Sequence, residues 1–230
     1  MILPGPLQKG RLVKRYKRFL ADIELDEGEL ITAHCPNPGR MLGLNVPGAT
    51  VWVAPSRGKL SHRLEMVEVE GRGLVGINTG YPNHIVREAL LEGRVAQLQG
   101  YGRLRSEVAY GTNSRIDLLL EDEARPDCYV EIKNVHYEVD GAALFPDSVT
   151  ARGTKHLGEL ERVVAAGRRG VIFYCVQRMD CSSFALAESI DPVYAQACRR
   201  AVAHGVEALC YHCRVELGEI TLERELSVEL

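Results

Sequence analysis

No apolar run in this sequence approaches the roughly twenty residues that a membrane-spanning helix needs. The opening Met1-Ile2-Leu3-Pro4-Gly5-Pro6 also lacks the apolar stretch of a secretory signal. Net charge is nearly absent, −3 over 230 residues, so no global basic field advertises a polyanionic partner. A disulfide framework is missing too. The seven cysteines are odd in number, irregularly spaced and set among apolar neighbours, as in Tyr174-Cys175-Val176 and Leu209-Cys210. That usage predicts reduced, packed thiols and a cytoplasmic protein. There is no internal repeat, and no Gly-rich phosphate loop or dinucleotide fingerprint follows a predicted strand. A helix-turn-helix pattern, which would put a recognition helix in the major groove, is likewise lacking.

What is present is globular. Hydrophobic residues make up 46% and charged residues 26%, in a chain long enough for one large domain or two modest ones. The charge is uneven: residues 1–20 carry Lys9, Arg11, Lys14, Arg15, Lys17 and Arg18 and no acid. Such a strip attracts phosphates, or it is a solvated edge strand whose cations discourage edge-to-edge pairing.

The texture changes near residue 80. Before it, short β-like runs alternate with turn chemistry: Arg18–Leu25, Glu29–Ala33, Thr50–Ala54, Arg63–Val69 and Leu74–Asn78, joined by segments such as Asp26-Glu27-Gly28 and Pro47-Gly48. Five short strands in this space suit a small barrel of the oligonucleotide-binding (OB) type, and a short sandwich would read much the same. From Pro82 the pattern is mixed α/β. Asn83 is placed to cap a helix with Ile85, Val86, Ala89 and Leu90 on one face, and Thr154 to cap a second with Leu157, Leu160, Val163 and Val164. Three strands lie between them, around Gly102–Tyr110, Arg115–Leu120 and Tyr129–Val135, and the stretch after the third is irregular. A very apolar strand, Gly170–Val176, follows the second helix, then a helix over Pro192–Ala203 and two C-terminal strands. The expected fold is therefore all-β plus α/β: an OB-type five-stranded barrel over 1–80, then an αβββαβ domain over 81–230.

The chemistry concentrates on two of those strands. Alternation puts Glu131 and Lys133 on one face, and a hairpin brings Asp117 beside Glu131. Two close carboxylates favour a divalent cation between them, and a hard ion such as Mg²⁺ takes oxygen ligands. The backbone carbonyl of Ile132 offers a third. Lys133 would orient or help deprotonate an attacking water, or balance charge on a phosphate. In isolation, Glu-x-Lys on a strand is equally a solvated salt bridge. Beside it, Arg152, Lys155 and His156 lie at the start of the second helix, where backbone N–H groups and cations make a phosphate cradle. Arg11, Lys14, Arg15, Lys17 and Arg18 would serve a phosphate backbone from the barrel. Tyr16, Phe19 or Trp52 would either stack bases or fill the core. Cys210-Tyr211-His212-Cys213 has zinc-ligand spacing but no partner pair, and its cysteines would face opposite sides of a strand. His34-Cys35 is not read as a catalytic pair, because neighbours on a strand point apart.

The order of parts resembles the PD-(D/E)xK nuclease superfamily. Longer stretches, Ser114-Arg115-Ile116-Asp117, Val130-Glu131-Ile132-Lys133-Asn134-Val135 and Phe145-Pro146-Asp147 through Thr154-Lys155-His156-Leu157, resemble the sugar fermentation stimulation protein A family. So do His34-Cys35-Pro36-Asn37, Val176-Gln177-Arg178 and Ile190-Asp191-Pro192. The turn Asn37-Pro38-Gly39-Arg40-Met41 departs from the expected pattern at Pro38 and Arg40. The resemblance implies an OB-type barrel, a nuclease-type domain, DNA as partner and a link to sugar, notably maltose, metabolism. It puts the superfamily's metal-binding acid on Asp117 and its Glu-x-Lys on Glu131 and Lys133. It also suggests Glu88 as an added acid from the first helix and Gln177 as an active-site glutamine. Three functions stay open at this point: a Mg²⁺- or Mn²⁺-dependent DNA nuclease, a non-catalytic DNA-binding regulator, and a metabolite sensor, which has little direct support. A homo-oligomer is compatible with the sequence.

Overall fold

In the first 80 residues the buried positions alternate with exposed ones, and the strands they define wrap around a small apolar core. The computed structural model describes residues 1–111 and 114–230. Six strands open the chain: β1 (Gln8–Tyr16), β2 (Leu20–Leu25), β3 (Leu30–His34), β4 (Thr50–Pro55), β5 (His62–Val69) and β6 (Gly73–Gly76). They bond in the order β3-β2-β1-β4-β5-β6, and a parallel contact of His34 with Arg63 joins β3 to β5, closing β1–β5 into a barrel. Leu12, Ile23, Ile31, Val51, Val53 and Leu64 fill it. The fifth barrel strand is thus β1, not the run at Leu74–Asn78, and β6 extends the sheet from β5. Because β1 lies between β2 and β4, its cations do not guard an edge.

The second part starts with helix α1 (Pro82–Leu91), followed by β7 (Arg103–Tyr110), β8 (Ser114–Asp122) and β9 (Arg125–Val135). The stretch expected to be irregular holds a hairpin, β10 (Tyr137–Val139) and β11 (Ala142–Phe145). Then come α2 (Ala151–Ala165), β12 (Arg169–Val176), β13 (Ser183–Leu186), α3 (Pro192–Ala203), β14 (Glu207–Glu216), β15 (Glu219–Glu225) and β16 (Ser227–Glu229). The main sheet runs β15-β14-β12-β9-β8-β7, with β12 parallel to both β9 and β14. Ile85, Val86 and Ala89 of α1 cover one face, against Leu118, Val130 and Phe173. Leu157 and Leu160 of α2 with Tyr194 and Cys198 of α3 cover the other, against Ile172, Tyr174 and Val176. The small sheet β10-β11-β13-β16 sits beside it. Among the described residues no helix is long and apolar enough to cross a membrane.

Both predicted caps move. Pro82 occupies the first helical position of α1 and Tyr81 the cap, so Asn83 lies inside the first turn with its side chain free for another use. At α2 the cap is Thr150, whose hydroxyl accepts from Gly153 N at 3.1 Å, while Thr154 hydrogen-bonds back to the Thr150 carbonyl at 3.3 Å. Asp191 caps α3 through Tyr194 N (3.0 Å) and also accepts from Thr150 N (2.7 Å), tying the starts of α2 and α3 together.

The barrel and the α/β domain share packing. Met66, Trp52 and Leu74 of the barrel press on the α1 face of the main sheet. Leu3, ahead of β1, is buried there as well and donates its N–H to Gly218 O at 2.8 Å.

Candidate active site

The site forms where β8 and β9 part. Their antiparallel register runs through Leu120↔Cys128, Leu119↔Tyr129 and Leu118↔Val130 and stops, and the next rung would set Asp117 against Glu131. In place of a strand carbonyl, Asp117 Oδ2 accepts the Ile132 N–H at 2.7 Å. The N–H and C=O of one strand residue leave on the same edge, so the Ile132 carbonyl opens toward that gap too. Asp117 Oδ1 takes a hydrogen bond from Asn83 Nδ2 at 2.9 Å. This is the use for the side chain that capping leaves free.

Glu131 is buried, 2% exposed, on the face that α2 covers. Its Oε1 accepts from Lys133 Nζ at 2.6 Å and pairs closely with His156 Nδ1. Arg152 Nε stands 3.4 Å from His156 Nε2, which leaves the Nδ1 proton to face Glu131. Glu131 Oε2, by contrast, is buried with no hydrogen-bond partner among the described residues. The Tyr110 hydroxyl on β7 is buried and unpartnered as well.

These contacts set the acidities. Burial, with the nearby Glu131 charge, pushes the Asp117 carboxyl up to about 6, against the pull of the Ile132 and Asn83 hydrogen bonds. Burial also disfavours charge on Glu131, but the His156 hydrogen bond and the Lys133 cation outweigh it and hold this carboxyl below its ordinary range. Burial, aided by Glu131, Glu159 and Asp117, raises the Tyr110 phenol. The result is two unequal carboxylates facing one gap.

A cleft of about 730 Å³ leads to Lys133 and Ile132. The barrel supplies Arg15, Arg18, Asn37 and Arg40 to its wall, and the α/β domain supplies Asn134, His136, Asp147 and Thr150. On the other side of His156, a recess of about 580 Å³ is lined by Arg115, Arg152 and Lys155 together with Glu107.

Asp117, Glu131, Ile132 and Lys133 therefore come together, with His156 added at their centre. The sequence put His156 with the phosphate cradle, yet it is 5% exposed and packed on Glu131. Glu88 is elsewhere: it binds the Met1 ammonium at 2.9 Å and lies near Arg94. Five residues along a helix turn a side chain by about 140° relative to Asn83, so Asn83 and Glu88 cannot both face Asp117. Gln177 does not touch Asp117, Glu131 or Lys133 and reaches the cluster only through Asn134. Its side-chain amide donates to Asn78 O (3.0 Å) and Asn134 Oδ1 (2.5 Å), and its backbone carbonyl accepts Gly76 N (2.9 Å), so it joins barrel to sheet. Of the barrel cations, Arg15 and Arg18 line the cleft. Arg11 bonds Gly48 O elsewhere, Lys14 pairs with Asp22 at 3.4 Å, and Lys17 is exposed in the β1–β2 turn. Sequence reasoning missed Asn83, whose only signal was the proline before it, and Arg40, noted only as a departure from pattern.

Fit to a divalent cation can be tested on these atoms. Two carboxylates, one with a bare buried oxygen, and a carbonyl edge form the all-oxygen donor set that a hard cation takes. Among the described residues no group of three or more His, Cys, Asp or Glu is placed to hold a metal, so any further ligands would be water or substrate oxygens. Cys210 and Cys213 lie in different cores, on opposite faces of the main sheet.

A closed OB-type barrel, an α/β domain and an Asp…Glu-x-Lys cluster at parting strands define a two-part protein, a β-barrel joined to an α/β domain. The chain belongs to the sugar fermentation stimulation protein family. Residues 80–219 match the family model described as the sugar fermentation stimulation protein RE domain, and residues 13–77 match the family's N-terminal OB domain. Sugar fermentation stimulation protein homologs from Brucella ovis and Brucella melitensis biotype 1 are each 54% identical over 234 residues, covering 100% of this chain and 98% of theirs. The solved structure of Pyrococcus furiosus SfsA in complex with Ca²⁺ superposes with a TM-score of 0.91 at 26% identity, over 100% of this chain and 98% of that one.

Proposed function

We propose that this protein binds DNA largely without regard to sequence and hydrolyses its phosphodiester bonds with the help of Mg²⁺ or Mn²⁺. The observation that carries this reading is the buried, bare Glu131 Oε2 next to Asp117, beside Ile132 and Lys133, which line a cationic cleft. Asp117, Glu131 and the Ile132 carbonyl would hold the cation. When bound, it would supply Lewis-acid activation of the phosphate and its attacking water. Lys133, 2.6 Å from Glu131, is placed to steady that water and to balance charge gathering on the phosphoryl oxygens. His156 holds Glu131 from behind, and Asn83 fixes the orientation of Asp117. That the Pyrococcus relative was solved with Ca²⁺ supports a hard divalent ion in this family.

One observation favours a second reading, in which the domain only binds DNA. Glu131 Oε1 is already met by both Lys133 and His156, an ion cluster that needs nothing more to balance it.

Cleavage of single- and double-stranded DNA with Mg²⁺ or Mn²⁺ separates the two. Asp117→Ala and Lys133→Ala should each lower the rate by about 10²-fold or more while DNA affinity in EDTA stays within a few-fold. Folded protein that binds DNA but cuts none with either metal would leave the binding-only reading in place.

A further inference from the structure

An exposed pair of rings stands on the barrel beside the cleft, and hydrolysis at Asp117 and Glu131 gives it no task. Phe19 is 45% exposed and stacks on the exposed His34 ring, with centroids 6.3 Å apart and 28° between planes. The other barrel aromatics are engaged: Tyr16 bonds Asp22 at 3.1 Å, and Trp52 packs against the shared core. Phe19 follows directly on the β1–β2 turn, where Lys17 and Arg18 take φ values of 47° and 64°. Consecutive left-handed residues are the geometry of a tight hairpin turn, and this one leaves the Phe19 ring at the barrel surface.

The cations around the rings are also uncommitted. Among the described residues, the side chains of Lys17, Arg18 and Arg40 make no ion pair and no hydrogen bond. Arg63, Arg94, Arg169 and Arg178 are each paired with a carboxylate. Arg18 and Arg40 both line the cleft that ends at Lys133. Its walls are fixed to each other: Met41 N donates to Asp147 Oδ2 at 2.9 Å, and Gln177 bridges to Asn78 at 3.0 Å. A cleft of this volume is on the scale of a small-ligand site, not of the groove a double helix needs. A duplex also buries the faces of its bases, which a ring platform needs.

We propose that the cleft between barrel and sheet receives single-stranded nucleic acid. A base stacks on Phe19, phosphates lie on Arg18 and Arg40, and the strand continues to Lys133. Ring stacking with free cations is how sequence-tolerant single-strand binding is built. The proposal rests on the nucleic-acid reading above and specifies the form that enters.

The test is fluorescence anisotropy in EDTA at fixed salt with labelled oligo(dT), oligo(rU) and a blunt duplex of equal length. Oligo(dT) should bind roughly tenfold or more tighter than the duplex, and Phe19→Ala should remove about tenfold of that affinity with little effect on the duplex. Oligo(rU) binding as well as oligo(dT) supports the same mode, because stacking does not consult the sugar. Phe19→Trp should keep the affinity, and its added indole emission should be quenched by oligo(dT). This guards against a folding defect in the alanine variant. Duplex binding equal to oligo(dT), or an unquenched indole with Phe19→Ala unchanged, overturns the proposal. Without metal the assay is blind to hydrolysis. Strand-selective binding with no cleavage would sink the nuclease reading alone. Duplex cleavage indifferent to Phe19→Ala would sink this one alone.

Discussion

Asp117 and Glu131 are acids whose neighbourhood would be more stable if one of them were neutral. Asp117 is buried, feels the charge of Glu131 and has its carboxyl pushed up to about 6. Asp117→Asn keeps an acceptor for the Ile132 N–H and removes the like-charge contact. Its stability in EDTA, read by urea unfolding, should rise by about 1–2 kcal/mol, the trade-off expected where a site is kept for chemistry. Mg²⁺ should raise the Tm of the wild type and not of this variant. Glu88→Gln should leave that metal effect intact. Residues with a local signature were legible in the sequence: alternation alone placed Glu131 and Lys133 on one face, and a hairpin brought Asp117 to them. Gln177 was not legible, because its partners Asn78 and Asn134 lie far along the chain and no local pattern encodes them. Gln177→Ala should cost about 1–3 kcal/mol through the groups it leaves unpaired, with little change in cleavage per folded molecule.

Elements were readable where apolar periodicity was strong and hidden where charge or glycine replaced it. The α2, α3 and β12 segments announce themselves by buried stripes. β1 does not: its inward positions are Gly10 and Leu12, framed by Lys9, Arg11 and Lys14, so only one large apolar side chain marks a central strand. Gly10 is small because a Cβ there would stand 2.6 Å from Glu24 O and 2.8 Å from Ile23 Cγ2. Gly10→Ala should therefore destabilise the barrel by about 1–3 kcal/mol. Helix starts misled for a related reason, since Thr150 and Thr154 both have capping chemistry and only the tertiary link through Asp191 decides between them. Thr150→Ala should cost about 1 kcal/mol in thermal or urea unfolding, and Thr154→Ala clearly less.

For the molecule as a whole, the joint between barrel and sheet decides behaviour. Asp147 of the α/β domain accepts Met41 N from the barrel and faces His136 at 3.2 Å. Burial opposes its charge, yet the His136 and Met41 contacts bring its carboxyl down to about 2. A carboxyl lowered on folding stabilises above its unfolded value near 3.8 and loses that contribution as pH falls through about 2. The difference is worth about 2 kcal/mol, and it should vanish progressively between about pH 5 and pH 1. Asp147→Asn should flatten that acid limb and leave stability above pH 5 lower throughout. With Met66, Trp52 and Leu74 sunk in the core beneath α1, barrel and sheet should melt in one transition; two separated transitions would show the joint to be weak.

The burial of Leu3 against Gly218 also sets an order of events at the ribosome. At roughly 5–20 residues per second, some ten to forty seconds separate the synthesis of residue 3 from that of residue 218. The barrel can close meanwhile, because its strands lie within residues 8–76. Its leading segment has nowhere to dock until the last hairpin emerges. The barrel therefore can close before Leu3 meets its Gly218 partner, and docking of the segment ahead of β1 waits on the β14–β15 turn.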